Sequence, residues 1–437
     1  MIKKNEVLKY NYTLLVVIVL LAVIGIIAIY SAGFDPIDKL NNGMYKRQIF
    51  WFTTGFVLMM GMTFINHKIL SDYCHYIYAV NLIIIILVAF FAEPIRNTRA
   101  WINFGFFSIQ PSEFMKISYI IMLAKYLELR EREMMNFVEL IIPALITIIP
   151  VAFIIKQPDF GTAMLFIPVL FIMLYAGGAD IWHLVSIVLI AVLSLLIPMV
   201  ITFREWSHQD TSVFIDFFNS GSSIYVVSIS IFFIGMLTYL INLVFVKQYL
   251  KKIYFPAFIL SLGLLFSVII QRYLKDYQKK RILVFLSPEL DPLGSGYNVI
   301  QSKIAIGSGG FFGKGFLKGT QSQLGFLPEK TSDFIFAAIS EEWGFIGSVF
   351  VVVLFGLLVF EGIKIAITAK DKFSSLSAVG ITSIFFSHFV INVGMVMGIT
   401  PVTGIPLCFI SYGGSNLLMA MISVGILLSI QQKKTVN

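Results

Sequence analysis

Charge is scarce in this chain. Only 13% of its 437 residues are Asp, Glu, Lys or Arg, whereas a soluble domain carries about 25%. That deficit excludes a water-soluble globule, a disordered chain and a basic nucleic-acid binder. The net charge of +8 comes from 32 Lys and Arg against 24 Asp and Glu, so it reflects a bias of the loops rather than a polycationic face. Cysteine is nearly missing. Cys74 and Cys408 lie far apart, each in an apolar run, which excludes a disulfide framework and a thiolate metal site. The five His are scattered, and there is no HExxH, GxSxG or His-rich pattern. What abounds instead is apolar: 58% of residues are hydrophobic.

A span of lipid needs about 20 mostly apolar residues, and helices satisfy their own backbone polar groups there. The runs near 12–31, 48–65, 73–92, 138–155, 160–176, 181–202, 224–246, 253–271, 334–360, 375–398 and 404–431 meet that need, and a less clean run at 112–128 carries Glu113 and Lys116. The expected fold is therefore an all-α polytopic transmembrane helical bundle of about twelve spans. The first run is too long for a signal-peptide core and reads as a retained anchor. Lys3, Lys4, Lys9, Lys125, Arg130 and Arg132 fall in inner segments if the N-terminus is inside, and the shorter outer loops are poorer in Lys and Arg. The positive-inside rule then places both termini in the cytoplasm.

Titratable groups at membrane depth are costly and so informative. Glu113 and Lys116 are three apart, on one face of a helix entering from outside, where a mutual ion pair competes with a functional role. Asp159 follows Pro158 and precedes an apolar run, the position of an N-cap. Glu341 and Glu342 fall in the outer part of a span, so at least one should face the protein interior. Asp291 stands in Pro288-Glu289-Leu290-Asp291-Pro292-Leu293-Gly294, which alone reads as a turn. Its place in a long outer segment, 273–333, sets it where a lipid-linked substrate could be reached. That segment opens with Lys275, Lys279, Lys280 and Arg281 before Ile282–Leu286, the pattern of a helix in the headgroup layer. The stretch from Gly307 to Gly315 is not a nucleotide loop. Ser308 and Gly315 break the Walker pattern, and Phe312 breaks the dinucleotide one. Its glycines suit a tight turn or a close approach.

Together these segments resemble the SEDS family (shape, elongation, division and sporulation) of polytopic peptidoglycan polymerases. The resemblance rests on Gln110-Pro111-Ser112-Glu113 with Lys116, Gln157-Pro158-Asp159-Phe160-Gly161-Thr162, Asp291-Pro292-Leu293-Gly294-Ser295-Gly296-Tyr297 and Gln301-Ser302 through Gly319. It continues with Leu327-Pro328-Glu329, Asp333-Phe334-Ile335-Phe336, Glu341-Glu342, Gly404-Ile405-Pro406 and Ser411-Tyr412-Gly413-Gly414-Ser415, in family order. Gly319-Thr320-Gln321-Ser322-Gln323-Leu324 resembles the RodA-like elongation branch more than the FtsW-like one. Four departures from the family pattern stand out. Ser332 stands for Thr, Cys408 for Pro and Asn416 for Ser, while Asn97-Thr98 replaces Gly-Ala ahead of Arg99 and Trp101. Family members have ten spans. The surplus here falls at 203–272 as an inserted hairpin, between helices 1–202, an extracytoplasmic catalytic loop at 273–333 and C-terminal helices at 334–437. Two added helices leave Asp291 on its original side.

The resemblance implies a peptidoglycan glycosyltransferase of the bacterial inner membrane. It would polymerise lipid II onto glycan held on undecaprenyl diphosphate. Asp291 matches the family's catalytic carboxylate and takes the general-base role. Arg99, Lys116 and the Lys275–Arg281 stretch are candidates for the diphosphates, with Lys314 as a further substrate-binding candidate and Glu113, Asp159, Glu329 and Asp333 as possible lining groups. A divalent cation such as Mg2+ or Mn2+ could share that work. A class B penicillin-binding protein and the elongation machinery are the implied partners, with no nucleic acid. A lipid II flippase, a non-catalytic scaffold and an FtsW-like division polymerase are the alternatives.

Overall fold

The computed structural model describes residues 11–35, 40–94, 98–105, 107–207, 221–245, 248–273, 284, 287–290 and 295–432. Asp291, Lys275–Arg281 and all of Ile282–Leu286 but Val284 lie outside them. Each apolar run of membrane length falls on a helix, apart from the first ten residues of the run at 404–431. In chain order these are α1 (Tyr12–Ala32), α2 (Met44–Phe64), the short α3 (His67–Asp72), α4 (Cys74–Phe91), α5 (Pro111–Leu129), α6 (Ile141–Lys156), α7 (Phe160–Ala176), α8 (Ile181–Ser207), α9 (Gly221–Phe245) and α10 (Gln248–Tyr273). There follow α11 (Ser295–Gly309), the single-turn α12 (Thr320–Gln323), α13 (Ile335–Thr368), α14 (Lys372–Met397) and α15 (Gly414–Gln432). Among the described residues, nine helices are long and apolar enough to cross a membrane. Three more take the remaining runs. Of these, α2 is more polar, α5 carries Glu113, Lys116, Lys125 and Glu128, and α7 has 17 residues.

Among the described residues, strands are confined to two small antiparallel hairpins. One pairs β1 (Phe34–Asp35) with β2 (Leu40–Asn41), and the other pairs β3 (Ile102–Asn103) with β4 (Ser108–Ile109). The chain divides into two compact units, one of residues 180–297 and one of the rest. In the smaller unit α9 and α10 pack as a hairpin, with Ile224, Leu264 and Val268 at its core and Ser228 Oγ donating to the Ser261 carbonyl at 2.7 Å. In the larger unit α14 and α15 are central: 72% and 83% of their most apolar stretches are buried, against 22% for α4. Their mixed small and polar surfaces suit helix contacts rather than lipid.

Local signals set the helix ends. Asn11 accepts from the Leu14 amide and caps α1, Pro111 occupies the first turn of α5, and Asp371 caps α14 through the Ser374 amide at 2.9 Å. The apolar run expected at 404–431 becomes helix only at Gly414. Pro401, Pro406 and a left-handed Gly404 (φ 71°) keep 401–413 irregular despite its apolar content.

The break in α13 gives the glycine-rich stretch its role. Gly344 has φ 65° and ψ −159°, a conformation essentially restricted to glycine, and it interrupts the helical ladder. The freed backbone groups are taken up by the Gly-rich segment. Lys314 and Gly315 amides donate to the Glu341 and Glu342 carbonyls at 3.0 and 2.9 Å, and the Phe345 amide donates to the Gly310 carbonyl at 2.9 Å. A Cβ on Gly344 would lie 2.7 Å from the Phe311 carbonyl oxygen. Gly344→Ala is therefore expected to destabilise the fold by about 1–3 kcal/mol. Thermal unfolding in detergent checks this, and an unchanged midpoint would show the break to be unstrained.

Candidate functional site

The motif segments around Gln110, Gln157, Glu341 and Ser411 converge at one end of the larger unit, where α1 ends and α5, α7, α13 and α15 begin. Asp159, half-buried, accepts from the Thr162 amide at 3.1 Å as the N-cap of α7. Its other oxygen accepts from Gln110 Nε2 at 2.6 Å and from Ser112 Oγ at 3.4 Å. The Gln110 amide in turn donates to Ser415 Oγ at 2.9 Å. Segments 49 and 305 residues apart in sequence thus share one polar cluster.

One turn into α5, Lys116 Nζ lies 2.8 Å from Glu113 Oε2, the i,i+3 pair that the spacing suggested. Both side chains are sealed within the protein, at 3% and 1% exposure. Asn416 Nδ2 donates to the same Glu113 oxygen at 3.1 Å, and His388 Nε2 lies 3.1 Å from the ammonium. A carboxylate in the first turn of a helix also gains from the free amides there. The Asn416 departure from the family pattern therefore supplies a donor to the buried pair. Sequence reasoning missed His388. Its one signal is a lone imidazole four residues before Asn392 within an apolar span, on the same helix face.

Asn392 fastens two loops. Its Nδ2 donates to the carbonyls of Asp333 and Ile405, at 2.8 and 2.7 Å. Ser411 Oγ donates to the Ser332 carbonyl at 2.6 Å and accepts from the Leu407 amide at 2.8 Å, while Gln48 Nε2 reaches the Ser411 carbonyl at 3.1 Å. Segments 331–334 and 401–413 are thereby strapped together.

Glu341 and Glu342 both face inward. Glu341, fully buried, accepts from Lys314 Nζ (2.8 Å), Thr320 Oγ1 (3.1 Å), the amides of Gln321 and Ser322 (2.9 and 3.0 Å) and Ser322 Oγ (3.0 Å). It thus holds the single turn of α12 and engages Lys314. Glu342 accepts from Ser31 Oγ at 2.5 Å and from Gln323 Nε2 at 3.5 Å. Of the remaining candidates, Arg99 is exposed. Glu329 is also exposed, has φ 47° and accepts from Ser332 Oγ at 3.1 Å. Asp333 sits beside Gly404, whose absent Cβ would lie 3.3 Å from its Oδ2.

A divalent cation would draw on carboxylates at this end, of which Asp291 lies outside the described residues. Among the described residues no three His, Cys, Asp or Glu gather at one point, and protein donors already occupy Glu113, Glu341 and Glu342.

Long apolar helices carrying a buried polar end define a multi-pass membrane protein. The FTSW_RODA_SPOVE family, described as cell cycle proteins, matches residues 12–237 and 227–436. The chain belongs to that family. It is 37% identical over 439 residues to the peptidoglycan glycosyltransferase RodA of Treponema pallidum (strain Nichols), covering 97% of this chain and 98% of the relative. To the peptidoglycan glycosyltransferase MrdB of Escherichia coli (strain K12) it is 31% identical over 418 residues, or 96% and 92% of the two chains. A solved structure on the coordination of polymerization and crosslinking by a peptidoglycan synthase complex includes a chain that superposes with a TM-score of 0.66. The identity is 25%, with 98% of this chain and 99% of that one covered. The all-α polytopic reading of the sequence is borne out.

Proposed function

We propose that this chain polymerises lipid II into glycan strands during cell elongation, from the bacterial inner membrane and with both termini in the cytoplasm. It is a peptidoglycan glycosyltransferase. One observation carries the reading: family segments scattered from Gln110 to Ser415 share hydrogen bonds at a single end of the bundle, in a chain similar to named polymerases over nearly its whole length.

In the proposed step the 4-hydroxyl oxygen of the incoming lipid II sugar attacks C1 of the growing glycan. The C1–oxygen bond to undecaprenyl diphosphate breaks with inversion, and its electron pair leaves with the diphosphate. Asp291 accepts the hydroxyl proton. A carboxylate placed this way contributes by withdrawing the proton as the bond forms. The leaving diphosphate needs fixed positive charge. Arg99 is exposed, whereas Lys116 and Lys314 are engaged by Glu113 and Glu341. We therefore assign Arg99 and the Lys275–Arg281 stretch to the diphosphate. Lys116 and Lys314 brace the site, and Asp159, Glu329 and Asp333 line the approach. The likeness to a synthase complex that couples polymerization to crosslinking supports a class B penicillin-binding protein as partner.

The purified chain, mixed with lipid II and that partner, is expected to yield glycan strands resolved on a gel. Movement of lipid II across vesicles without polymer in any condition would point to a flippase and overturn the reading. The hairpin at 203–272 offers a second check. Deleting 224–271 as a unit preserves the side on which Asp291 emerges, so it should leave more polymerase activity than deleting one helix. Equal loss from both deletions would contradict the proposed topology.

A further inference from the structure

The Glu113–Lys116 pair has a third member whose ring faces two ways. His388 is fully buried in α14, with Nε2 3.1 Å from Lys116 Nζ and Nδ1 2.9 Å from the Pro406 carbonyl oxygen. A carbonyl only accepts, so Nδ1 carries the hydrogen. Nε2 of the neutral ring is then an acceptor, and it takes a proton of the ammonium. The opposite arrangement would set an N–H against an ammonium. An ammonium has three donors, and one carboxylate oxygen cannot satisfy them where water is excluded.

We propose that His388 is a positioning residue for polymerisation. Through Nε2 it holds Lys116 on Glu113, and through Nδ1 it fixes Pro406, so one ring sets the segment 401–413 against the buried ion pair. This rests on the polymerase reading above. The segment is well placed to transmit a shift. Its Thr403 carbonyl packs directly on Gly161, two residues from Asp159, where a Cβ would collide with it. Its Gly404 abuts Asp333, and its Ile405 and Ser411 are tied to α14 and to Ser332. Asp333 thus abuts this segment directly, and the helix turn that Asp159 caps packs against it through Gly161. The segment has no regular hydrogen-bond ladder of its own, so these side-chain ties decide where it lies.

The two faces of the ring can be separated by substitution. His388→Gln places an amide oxygen near the Nε2 position and keeps an acceptor for Lys116. His388→Asn places an amide N–H near the Nδ1 position and keeps the Pro406 contact alone. With the purified chain, its partner and lipid II, His388→Gln should retain kcat within about threefold. His388→Asn should lose about tenfold or more in kcat at unchanged KM, the worth of one charge-assisted hydrogen bond. Wild-type kcat in both variants, or parallel falls in kcat and melting temperature in both, overturns the proposal. If His388→Asn does not fold, the comparison moves to the Glu113→Gln/Lys116→Met background. There the same substitution should lower the melting temperature less than in the parent chain, because no ammonium needs the acceptor. An equal drop in both backgrounds also overturns it. A parent chain that makes no glycan under these conditions overturns the polymerase reading itself.

Discussion

Asp291→Asn is expected to fold, reach the membrane and lose polymerisation of lipid II by about 10²–10⁴-fold, the range that a positioned general base contributes. Asn keeps the shape of the carboxylate and its capacity to accept one hydrogen bond, but it cannot take the proton from the acceptor hydroxyl. Glycosyl transfer would then have to form an oxonium or wait for water to remove the proton. The readout is the initial rate of strand formation by purified protein with the proposed crosslinking partner, normalised to folded protein by thermal melt. A variant that polymerises at the parent rate would remove Asp291 from the mechanism. A variant that melts far below the parent would instead mark Asp291 as a turn residue, as Asp-Pro in its local sequence alone suggests.

The second large effect concerns the buried pair. Replacing one partner leaves the other as an isolated charge, and for buried pairs this costs about 3–5 kcal/mol. Glu113→Gln and Lys116→Met should each lower the melting temperature sharply. Glu113→Gln strands the ammonium beside His388, and Lys116→Met strands a carboxylate that keeps only the Asn416 donor. The double variant should recover most of the loss, since desolvating two charges costs nearly as much as their attraction returns. Additive losses in the double variant would show that the two residues stabilise the bundle independently. Activity need not recover with stability. A stable double variant with low kcat would place the pair in site geometry as well as in the fold.

Much of this architecture was legible in the sequence because its signals are local. Apolar runs of membrane length located the helices, Pro-Asp before an apolar run located the cap at Asp159, and a spacing of three placed Glu113 and Lys116 together. The residues that complete the site were not legible for a matching reason. His388 meets Lys116 across 272 positions, and Asn416 meets Glu113 across 303, so no window of sequence contains either contact. A lone His or Asn in an apolar run shows that a partner is needed without saying which one. The part of the irregular segment from 404 to 413 reads as helix in the sequence because its residues are as apolar as a span. Pro401, Gly404 and Pro406 decide otherwise, and the freed backbone is satisfied by Asn392 from α14 and by Ser411 within the segment. The break at Gly344 was hidden for the same reason. Hydropathy is blind to a single left-handed residue, although the glycines at 307–315 had already called for a close backbone approach.

The central claim is a glycosyl transfer in which the lipid carrier leaves as the sugar bond forms. Its most direct measurement is the amount of undecaprenyl diphosphate released for each disaccharide added, using purified chain, partner and lipid II labelled in both the sugar and the lipid. Equal amounts, with release absent in Asp291→Asn, are the predicted result. Lipid II that changes leaflet while sugar and lipid labels stay joined would contradict the account.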